Sequence, residues 1–214
     1  MIYAVLTVIV AYLLGSISFA VILSKIFLKK DVREMGSGNA GTTNVIRTGG
    51  FKLGALTFLG DMVKGLVASL LGKLVFAYVN ENGAAWSVYG AFLCGIACML
   101  GHVFPIFFEF KGGKGIATSV GIFLICCYPA ILIGLAVFAL GVWLTKIVSI
   151  SSISAALTVV IFTMVFYNIN SPALFWPQAV LASLMCLLVI LKHSENIKRL
   201  LNGTEKKLTV RKDK

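Results

Sequence analysis

The chain has 214 residues, of which 59% are hydrophobic and 13% are charged, and its net charge is +11 at pH 7. Ordinary soluble domains carry about 25% charged residues, so the composition excludes a water-soluble fold and favours one all-α membrane domain over residues 1–214. Most basic residues lie between and after the apolar runs. This distribution is typical of membrane topology and not of nucleic-acid binding.

The first half of the chain predicts three membrane-spanning helices, because about 20 apolar residues are needed to cross the hydrocarbon core of a bilayer. The initial apolar run lacks the basic start and the cleavage pattern of a signal peptide, so we expect it to remain as the first helix. In chain order, we predict a span at residues 2–27, a polar segment at 28–50, an interfacial stretch at 51–60, a span at 61–79, a turn at 80–83 and a span at 86–103.

The second half predicts four more helices. Residues 116–145 are too many for one upright helix, and Pro129 lies near their middle, so we predict two short helices that turn near Tyr128 and Pro129. The remaining predicted elements are an aromatic and basic loop at 104–115, a polar patch at 146–154, a sixth helix at 157–167, a turn at 168–172 and a last span at 176–191.

Seven helices would place all but two of the 19 Lys and Arg residues on one side of the membrane. The positive-inside rule assigns that side to the cytoplasm, so we predict that the N-terminus is outside and the C-terminus is cytoplasmic. The two exceptions, Lys64 and Lys73, lie inside the second predicted span. Lys64 is near its cytoplasmic end, whereas Lys73 must snorkel to the interface or find a polar cavity. The five cysteines lie inside apolar runs without the spacing of a metal site, so no metal is expected.

Residues 36–44, GSGNAGTTN, combine three glycines with hydroxyl and amide side chains, and Arg47 follows them. Backbone N–H groups in such a segment, together with a guanidinium, favour the binding of an anion. The glycine spacing also matches a dinucleotide-binding fingerprint, but no strand precedes it, so we reject that fold. A flexible turn at the membrane interface remains the alternative.

Residues 101–115 run directly into the apolar stretch that begins at Ile116. A helix starting there would direct free N–H groups at an anion, and Lys111 or Lys114 would supply positive charge. The alternative is that the two lysines only reflect membrane topology. His102 is equally consistent with a structural hydrogen bond and with proton transfer.

Three further groups of polar residues stand out. Asp61 and Lys64 are three residues apart, so we predict that they share a helix face and form an ion pair. The serine-rich residues 149–154 open the sixth helix. A simple helix N-cap and a role in a site are equally consistent with this position. The third group follows the last span, and its three-residue spacing predicts one face of an interfacial helix: His193, Asn196 and Arg199.

These segments resemble the signatures of the bacterial acyl-phosphate:glycerol-3-phosphate acyltransferases, the PlsY family. The first signature corresponds to residues 37–47, the second to residues 102–118 and the third to residues 193–205, and residues 61–65 also fit. The resemblance covers nearly the whole chain. It implies a seven-helix protein of the bacterial plasma membrane, with a cytoplasmic active site. The implied reaction transfers a fatty acyl group from acyl phosphate to the sn-1 hydroxyl of glycerol 3-phosphate, giving lysophosphatidic acid and inorganic phosphate.

The resemblance also implies roles for individual residues. The catalytic set would be Ser37, Arg47, Lys114, His193 and Asn196. The phosphate-binding set would be Gly36, Gly38, Asn39, Gly41, Thr43, Asn44, Lys111, Gly112, Gly113, Gly115 and Thr118. The supporting set would be Asp61, Lys64, His102, Arg199 and Glu205, with Glu205 more structural than chemical. The partners would be acyl phosphate, glycerol 3-phosphate and the lipid bilayer, with no cofactor.

Two other functions share parts of this sequence pattern. An anion transporter would also use basic glycine-rich loops, but transporters place such groups near the membrane midplane and often contain internal repeats, and we find no repeat. An acyltransferase that uses a thioester donor would be expected to pair a histidine with a nearby aspartate. Neither His102 nor His193 has an aspartate close to it in the sequence. The sequence favours direct transfer over an acyl-enzyme, and it leaves His193 and a substrate phosphate oxygen as alternative bases.

Overall fold

The computed structural model describes residues 2–79 and 83–208, and within these ranges the chain is helical with no β-strand. The predicted all-α class is therefore confirmed, while the predicted turn at residues 80–83 lies mostly outside the described residues. The α-helices are α1 (Ile2–Gly15), α2 (Phe19–Leu28), α3 (Thr42–Tyr78), α4 (Gly83–Val103), α5 (Ile116–Cys126), α6 (Tyr128–Thr145), α7 (Val148–Asn170), α8 (Phe175–Lys192) and α9 (Ser194–Leu201).

Within the described part of the chain, six stretches are long and apolar enough to cross a membrane, and one of them is α1 and α2 taken together. Helix α5 has 11 residues and is about 16 Å long, roughly half the thickness of the hydrocarbon core. The predicted multi-span membrane architecture is confirmed. A count of seven spans and the orientation of the termini remain predictions.

The first predicted span contains a break between α1 and α2 at residues 16–18. At the break, the Ile17 carbonyl oxygen accepts a hydrogen bond of 2.7 Å from the Lys64 ammonium. In a membrane, a backbone group left outside a helix must find a partner inside the protein. The partner lies far away in the sequence, so the local apolar pattern could not reveal the break.

The second long helix starts earlier than predicted. Helix α3 begins at Thr42, and it bends at Gly50, whose φ of 85° lies in the left-handed region that glycine tolerates. The stretch at 51–60, predicted to lie along the interface, is part of this helix. By contrast, the prediction of two helices within residues 116–145 is confirmed, because α5 ends at Cys126 and α6 begins at Tyr128.

Helix α3 is the centre of the packing, with α1, α2, α4 and α5 against it, while α6, α7 and α8 pack in sequence beside this group. Small residues allow close approach: a Cβ on Gly72 of α3 or on Gly90 of α4 would meet the carbonyl oxygen of the other glycine. Contacts of α4 with α8 and of α5 with α6 join the two groups. The starts of α3 and α5 thereby come close to the end of α8.

Candidate active site

A cavity of about 560 Å³ lies where the first turns of α3 and α5 meet the last turn of α8 and the helix α9. All three sequence signatures contribute to its wall. The predicted site residues that line it are Ser37, Gly38, Asn39, Gly41, Thr43, Asn44, Arg47, Asp61, His102, Lys114, Gly115, His193, Asn196, Arg199 and Glu205. The fold therefore brings segments that are distant in the sequence into one polar cavity.

The loop before α3 is organised by the buried side chain of Asn44. Its amide oxygen accepts a hydrogen bond of 2.8 Å from the backbone N–H of Ser37. Its amide nitrogen donates to three carbonyl oxygens at 2.9 to 3.0 Å, those of Val32, Met35 and Asn39. The Asn44 side chain is thus used to shape the loop that carries Ser37, and its hydrogen-bonding capacity is largely filled by the backbone.

The N-terminus of α3 has polar groups that lack protein partners. Thr42 Oγ1 and Arg47 Nε are buried, and no hydrogen-bond partner for either atom exists among the described residues. A terminal guanidinium nitrogen of Arg47 donates to the Lys206 carbonyl oxygen at 3.2 Å. Buried polar groups are normally paired. Unpaired donors beside a helix N-terminus are therefore suited to an anion.

The second signature folds against His102. The Gly113 N–H donates to the His102 carbonyl oxygen at 3.1 Å. A Cβ on Gly112 would meet that oxygen, and a Cβ on Gly113 would meet the imidazole Nε2 of His102. Gly115, with a φ of 86°, turns the chain into α5. The glycines are therefore required for close packing of the loop that holds Lys114.

Lys114 connects the second signature to the third. Its ammonium donates a hydrogen bond to Asn196 Oδ1. Burial lowers the pKa of Lys114 to about 8, and the positive charge of Arg199 contributes to the shift. A phosphate placed beside this ammonium would offset the cost of burying it.

Asp61 and Lys64 form the ion pair that their spacing predicts, with 2.8 Å between Lys64 Nζ and Asp61 Oδ1. Both side chains are almost fully buried. The Nδ1 atom of His102 lies 3.4 Å from the same carboxylate oxygen. This cluster joins the break between α1 and α2 to the end of α4, beneath the second signature.

Glu205 accepts three hydrogen bonds from side chains of two helices, α7 and α9, at the other side of the cavity. Its oxygens accept from Ser149 Oγ at 2.8 Å, from the Asn196 amide at 2.6 Å and from Arg199 Nε at 2.7 Å. Partial burial alone would raise the pKa of Glu205, but the hydrogen bonds from Asn196, Arg199 and Ser149 lower it below its usual range. The predicted common face of Asn196 and Arg199 is confirmed by this shared partner.

His193 lies at the junction of α8 and α9, and its side chain is buried. Its Nδ1 lies 2.8 Å from the Val189 carbonyl oxygen, which only accepts, so Nδ1 carries the proton and Nε2 has a free lone pair. Burial lowers the pKa of His193 to about 4, and the charge of Lys114 adds to this effect. The imidazole is therefore neutral at pH 7.

Several residues of the cavity wall were not predicted as site residues, among them Thr42 and two serines of α7. Ser149 and Ser152 are buried on one face of α7 and line the cavity. Of the alternatives for the serine patch, the N-cap is not found: α7 begins after Ile147 without a side-chain cap, and Ser149 donates to Glu205. The i, i+3 spacing of the two serines was a signal that they share a helix face.

Some predicted site residues lie outside the cavity wall. The Lys111 side chain is 73% exposed and pairs with Glu109 at 3.2 Å. Thr118 is fully buried, in contact with Gly65 of α3. The others are Lys64, Gly112 and Gly113, described above, and Gly36, where a Cβ would meet the Asn44 side-chain oxygen.

Comparisons with known proteins agree with this geometry. A family model described as glycerol-3-phosphate acyltransferase matches residues 5–203. The chain is 46% identical to a glycerol-3-phosphate acyltransferase of Thermoanaerobacter pseudethanolicus over 206 residues, covering 96% of each chain. It is 40% identical to glycerol-3-phosphate acyltransferase 2 of Bacillus anthracis over 204 residues, covering 95% of this chain and 98% of the relative.

Two crystal structures of PlsY (YgiH), an integral membrane glycerol 3-phosphate acyltransferase, have the same fold. The glycerol 3-phosphate form has a TM-score of 0.82 at 34% identity, covering 97% of this chain and 96% of that chain. The lysophosphatidic acid form has a TM-score of 0.78 at 34% identity, covering 96% and 95%. The chain therefore belongs to the glycerol-3-phosphate acyltransferase family.

Proposed function

We propose that this chain, as a single membrane domain, transfers a fatty acyl group from acyl phosphate to the sn-1 hydroxyl of glycerol 3-phosphate. The products are lysophosphatidic acid and inorganic phosphate. The observation that carries the proposal is the convergence of Arg47, Lys114 and Arg199 on one cavity, together with the unpaired donors at the start of α3. The named substrates of the solved relatives support the acceptor, and the charge of the cavity supports a second phosphorylated substrate.

The positive charges suit a reaction in which both substrates carry phosphate. In acyl phosphate, the acyl carbon is already activated by a good leaving group, so the enzyme needs mainly to orient the hydroxyl and to neutralise phosphate charge. Arg47 lies at the N-terminus of α3 and Lys114 precedes α5. We assign the starts of α3 and α5 to phosphate binding. The sn-1 hydroxyl of glycerol 3-phosphate would lie between them.

Transfer proceeds in one step. The sn-1 hydroxyl oxygen forms a bond to the acyl carbon, the bond between that carbon and the phosphate oxygen breaks, and phosphate leaves. Among the described residues, no hydrogen bond joins the Ser37 hydroxyl to a histidine or a carboxylate, as an activated serine nucleophile would require. We therefore assign Ser37 to substrate binding.

The proton of the hydroxyl passes to an oxygen of the departing phosphate. A general base works best with a pKa near the working pH, and the pKa of His193 is lowered to about 4. His193 Nε2 is then a hydrogen-bond acceptor that orients the hydroxyl without taking its proton. The phosphate is the stronger base of the two and lies beside the reacting oxygen.

We also propose that the site faces the cytoplasm in the bacterial plasma membrane. The cavity wall includes Lys192 at the end of α8, and further basic side chains lie at the same end of the helices, among them Lys25 and Arg33. The positive-inside rule places such a cluster on the cytoplasmic side. Both substrates would reach the cavity there, one from solution and one from the inner leaflet.

The test is a donor comparison with the purified protein. We expect lysophosphatidic acid to form from palmitoyl phosphate and glycerol 3-phosphate, and not when palmitoyl-CoA or palmitoyl-acyl carrier protein replaces the acyl phosphate. Product formation only from the thioesters would overturn the assignment of the donor. No product from any donor would overturn the enzymatic function.

The cavity itself is tested by a matched pair of lysine variants. Lys114→Ala should lower kcat/KM for glycerol 3-phosphate by roughly a hundredfold, because a hydrogen-bonded charge on phosphate contributes about 3 kcal/mol at most. Lys111→Ala, in the same loop but exposed and outside the cavity, should stay within about twofold of the unaltered protein. Equal losses in the two variants would contradict the proposed site.

A further inference from the structure

The hydroxyl of Thr42 is a polar group that the proposed reaction does not yet use. Thr42 is the first residue of α3 and lies in the wall of the active-site cavity. Its Oγ1 atom is buried, and no hydrogen-bond partner for it exists among the described residues. Because buried hydroxyl groups normally have a partner, a ligand that enters the cavity is a candidate for this one.

Other threonines of the helices show why this hydroxyl is unpaired. Thr57 of α3 and Thr158 of α7 each donate at 2.9 Å to the carbonyl oxygen of the residue four positions earlier. Threonines inside helices commonly satisfy the hydroxyl in this way. The residue four positions before Thr42 is Gly38, which lies in the loop that precedes α3. Thr42 therefore has no preceding helical turn whose carbonyl oxygen could accept its hydroxyl proton.

The start of α3 also lacks a side-chain cap. Its N-cap residue is Gly41, which has no side chain to accept hydrogen bonds from the first N–H groups of the helix. Arg47 lies a little more than one turn further along and lines the same cavity, and its Nε is also buried without a partner among the described residues. Thr42 and Arg47 thus add two donors to the positive end of the helix dipole. An anion with several oxygens is the partner that suits all of these groups.

We propose that the Thr42 hydroxyl donates a hydrogen bond to a phosphate oxygen of a substrate, so that Thr42 is a further substrate-binding residue beside Arg47. The proposal rests on the proposed function, which supplies two phosphorylated substrates for this cavity. Rotation about χ1 between staggered positions moves the hydroxyl without moving the backbone, so α3 stays in place when the bond forms. The hydroxyl keeps its proton throughout, and its contribution is to binding and not to acyl transfer.

The experiment measures KM and kcat for glycerol 3-phosphate and for palmitoyl phosphate in the unaltered chain, Thr42→Val and Thr42→Ser. Valine has nearly the shape of threonine but no donor, whereas serine keeps the donor. In Thr42→Val, KM for one of the two substrates should rise roughly tenfold, as expected for the loss of a hydrogen bond to a charged group. The affected substrate is the one whose phosphate lies at the start of α3. The value of kcat should change much less, because the bond is made equally in the ground state and the transition state.

Thr57→Val is the matched control, since the Thr57 hydroxyl is buried on the same helix, bonds within that helix and lies outside the cavity wall. This variant and Thr42→Ser should keep both KM values of the unaltered protein. Unchanged KM values in Thr42→Val would overturn the proposal. An equal rise for both substrates, or an equal rise in Thr42→Ser or Thr57→Val, would also overturn it, because the cause would then be a change of shape and not the loss of this hydroxyl.

A binding measurement without turnover separates this proposal from the proposed function. Inorganic phosphate carries the group that both substrates share, and its binding should raise the melting temperature of the protein in detergent. Thr42→Val should need roughly tenfold more phosphate than the unaltered protein for the same rise. If the unaltered protein forms no product from acyl phosphate, the proposed function fails, and the phosphate titration still tests Thr42. An equal response to phosphate in the two proteins would overturn the role of Thr42 in either case.

Discussion

The two sides of the active-site cavity are held together in different ways. On the α3 side, one neutral side chain, Asn44, bonds to four backbone groups of its own loop and is 2% exposed. On the α9 side, one carboxylate, Glu205, accepts hydrogen bonds from side chains of α7 and α9. We call these the Asn44 side and the Glu205 side.

Because of this difference, we expect the two sides to respond differently when substrate binds. The Asn44 side is fixed by short bonds between a side chain and its own backbone, so its shape does not depend on charge. The Glu205 side is an arrangement of charges, and a phosphate entering the cavity competes with the carboxylate for Arg199 and for the cation Lys114 beyond it. The first side is therefore preformed, and the second responds to ligand and to pH.

The largest expected effect is on the Asn44 side. Asn44→Asp keeps the size of the side chain but directs an oxygen at three carbonyl oxygens that now accept hydrogen bonds from it. Each buried backbone group left without a partner costs about 1 to 3 kcal/mol, so the loop carrying Ser37 should lose its shape. We expect kcat to fall by about two orders of magnitude or more, together with a lower melting temperature in detergent.

The matched control is Asn39→Asp, since Asn39 lies in the same loop and lines the cavity, but contributes its backbone carbonyl to Asn44. This variant should keep the melting temperature of the unaltered protein. If Asn44→Asp were as stable and as active as the unaltered chain, the α3 side would not be preformed and the comparison would fail.

A smaller effect is expected on the Glu205 side. Glu205→Gln removes the charge that pairs with Arg199 at 2.7 Å, while the amide oxygen still accepts one hydrogen bond. The segment 203–208 should then open more often, and hydrogen–deuterium exchange at Leu208, whose N–H bonds to the Lys146 carbonyl oxygen at 2.7 Å, should quicken several-fold. Glu109→Gln, which alters an exposed ion pair, is the control and should leave that exchange unchanged.

Sequence patterns predicted the helices with long apolar runs and the break near Tyr128, because those features are local. They did not predict the break at Ile17 or the early start of α3. The break is stabilised by Lys64, which is distant from Ile17 in the sequence. The first turns of α3 carry polar side chains because they line the cavity, although polar runs are typical of loops. Local polarity therefore gave the wrong boundary for α3.

The difference between local features and long-range contacts also explains which site residues could be predicted. The glycine, lysine and histidine segments predicted most of the cavity wall, because anion binding requires particular residue types close together in the chain. The sequence could not decide between a helix cap and a site role for Ser149, because its partner Glu205 is 56 residues away in the chain. Lys111 and Lys114 look alike in the sequence, and only the path of the loop into α5 separates an exposed side chain from a buried one.

The smallest expected effect is a shift in the pH dependence of kcat/KM, which should respond to changes on the Glu205 side and not to neutral changes on the Asn44 side. The pKa of Lys114 is lowered from its usual 10.5 to about 8. Its positive charge is therefore lost as pH rises through about 8, and kcat/KM for glycerol 3-phosphate should decline there and not near 10.5. Lys114→Arg should move the decline to higher pH, because a guanidinium stays protonated.

The charge of Glu205 raises the pKa of Lys114 against the stronger effects of burial and Arg199. In Glu205→Gln this support is absent, so the alkaline decline in kcat/KM should begin at lower pH than in the unaltered protein. A neutral change on the Asn44 side adds no charge to the cavity that holds Lys114, so Asn39→Ala should leave the position of the decline where it was. A decline that does not move in Glu205→Gln would mean that the carboxylate holds the C-terminal segment without influencing the pKa of Lys114.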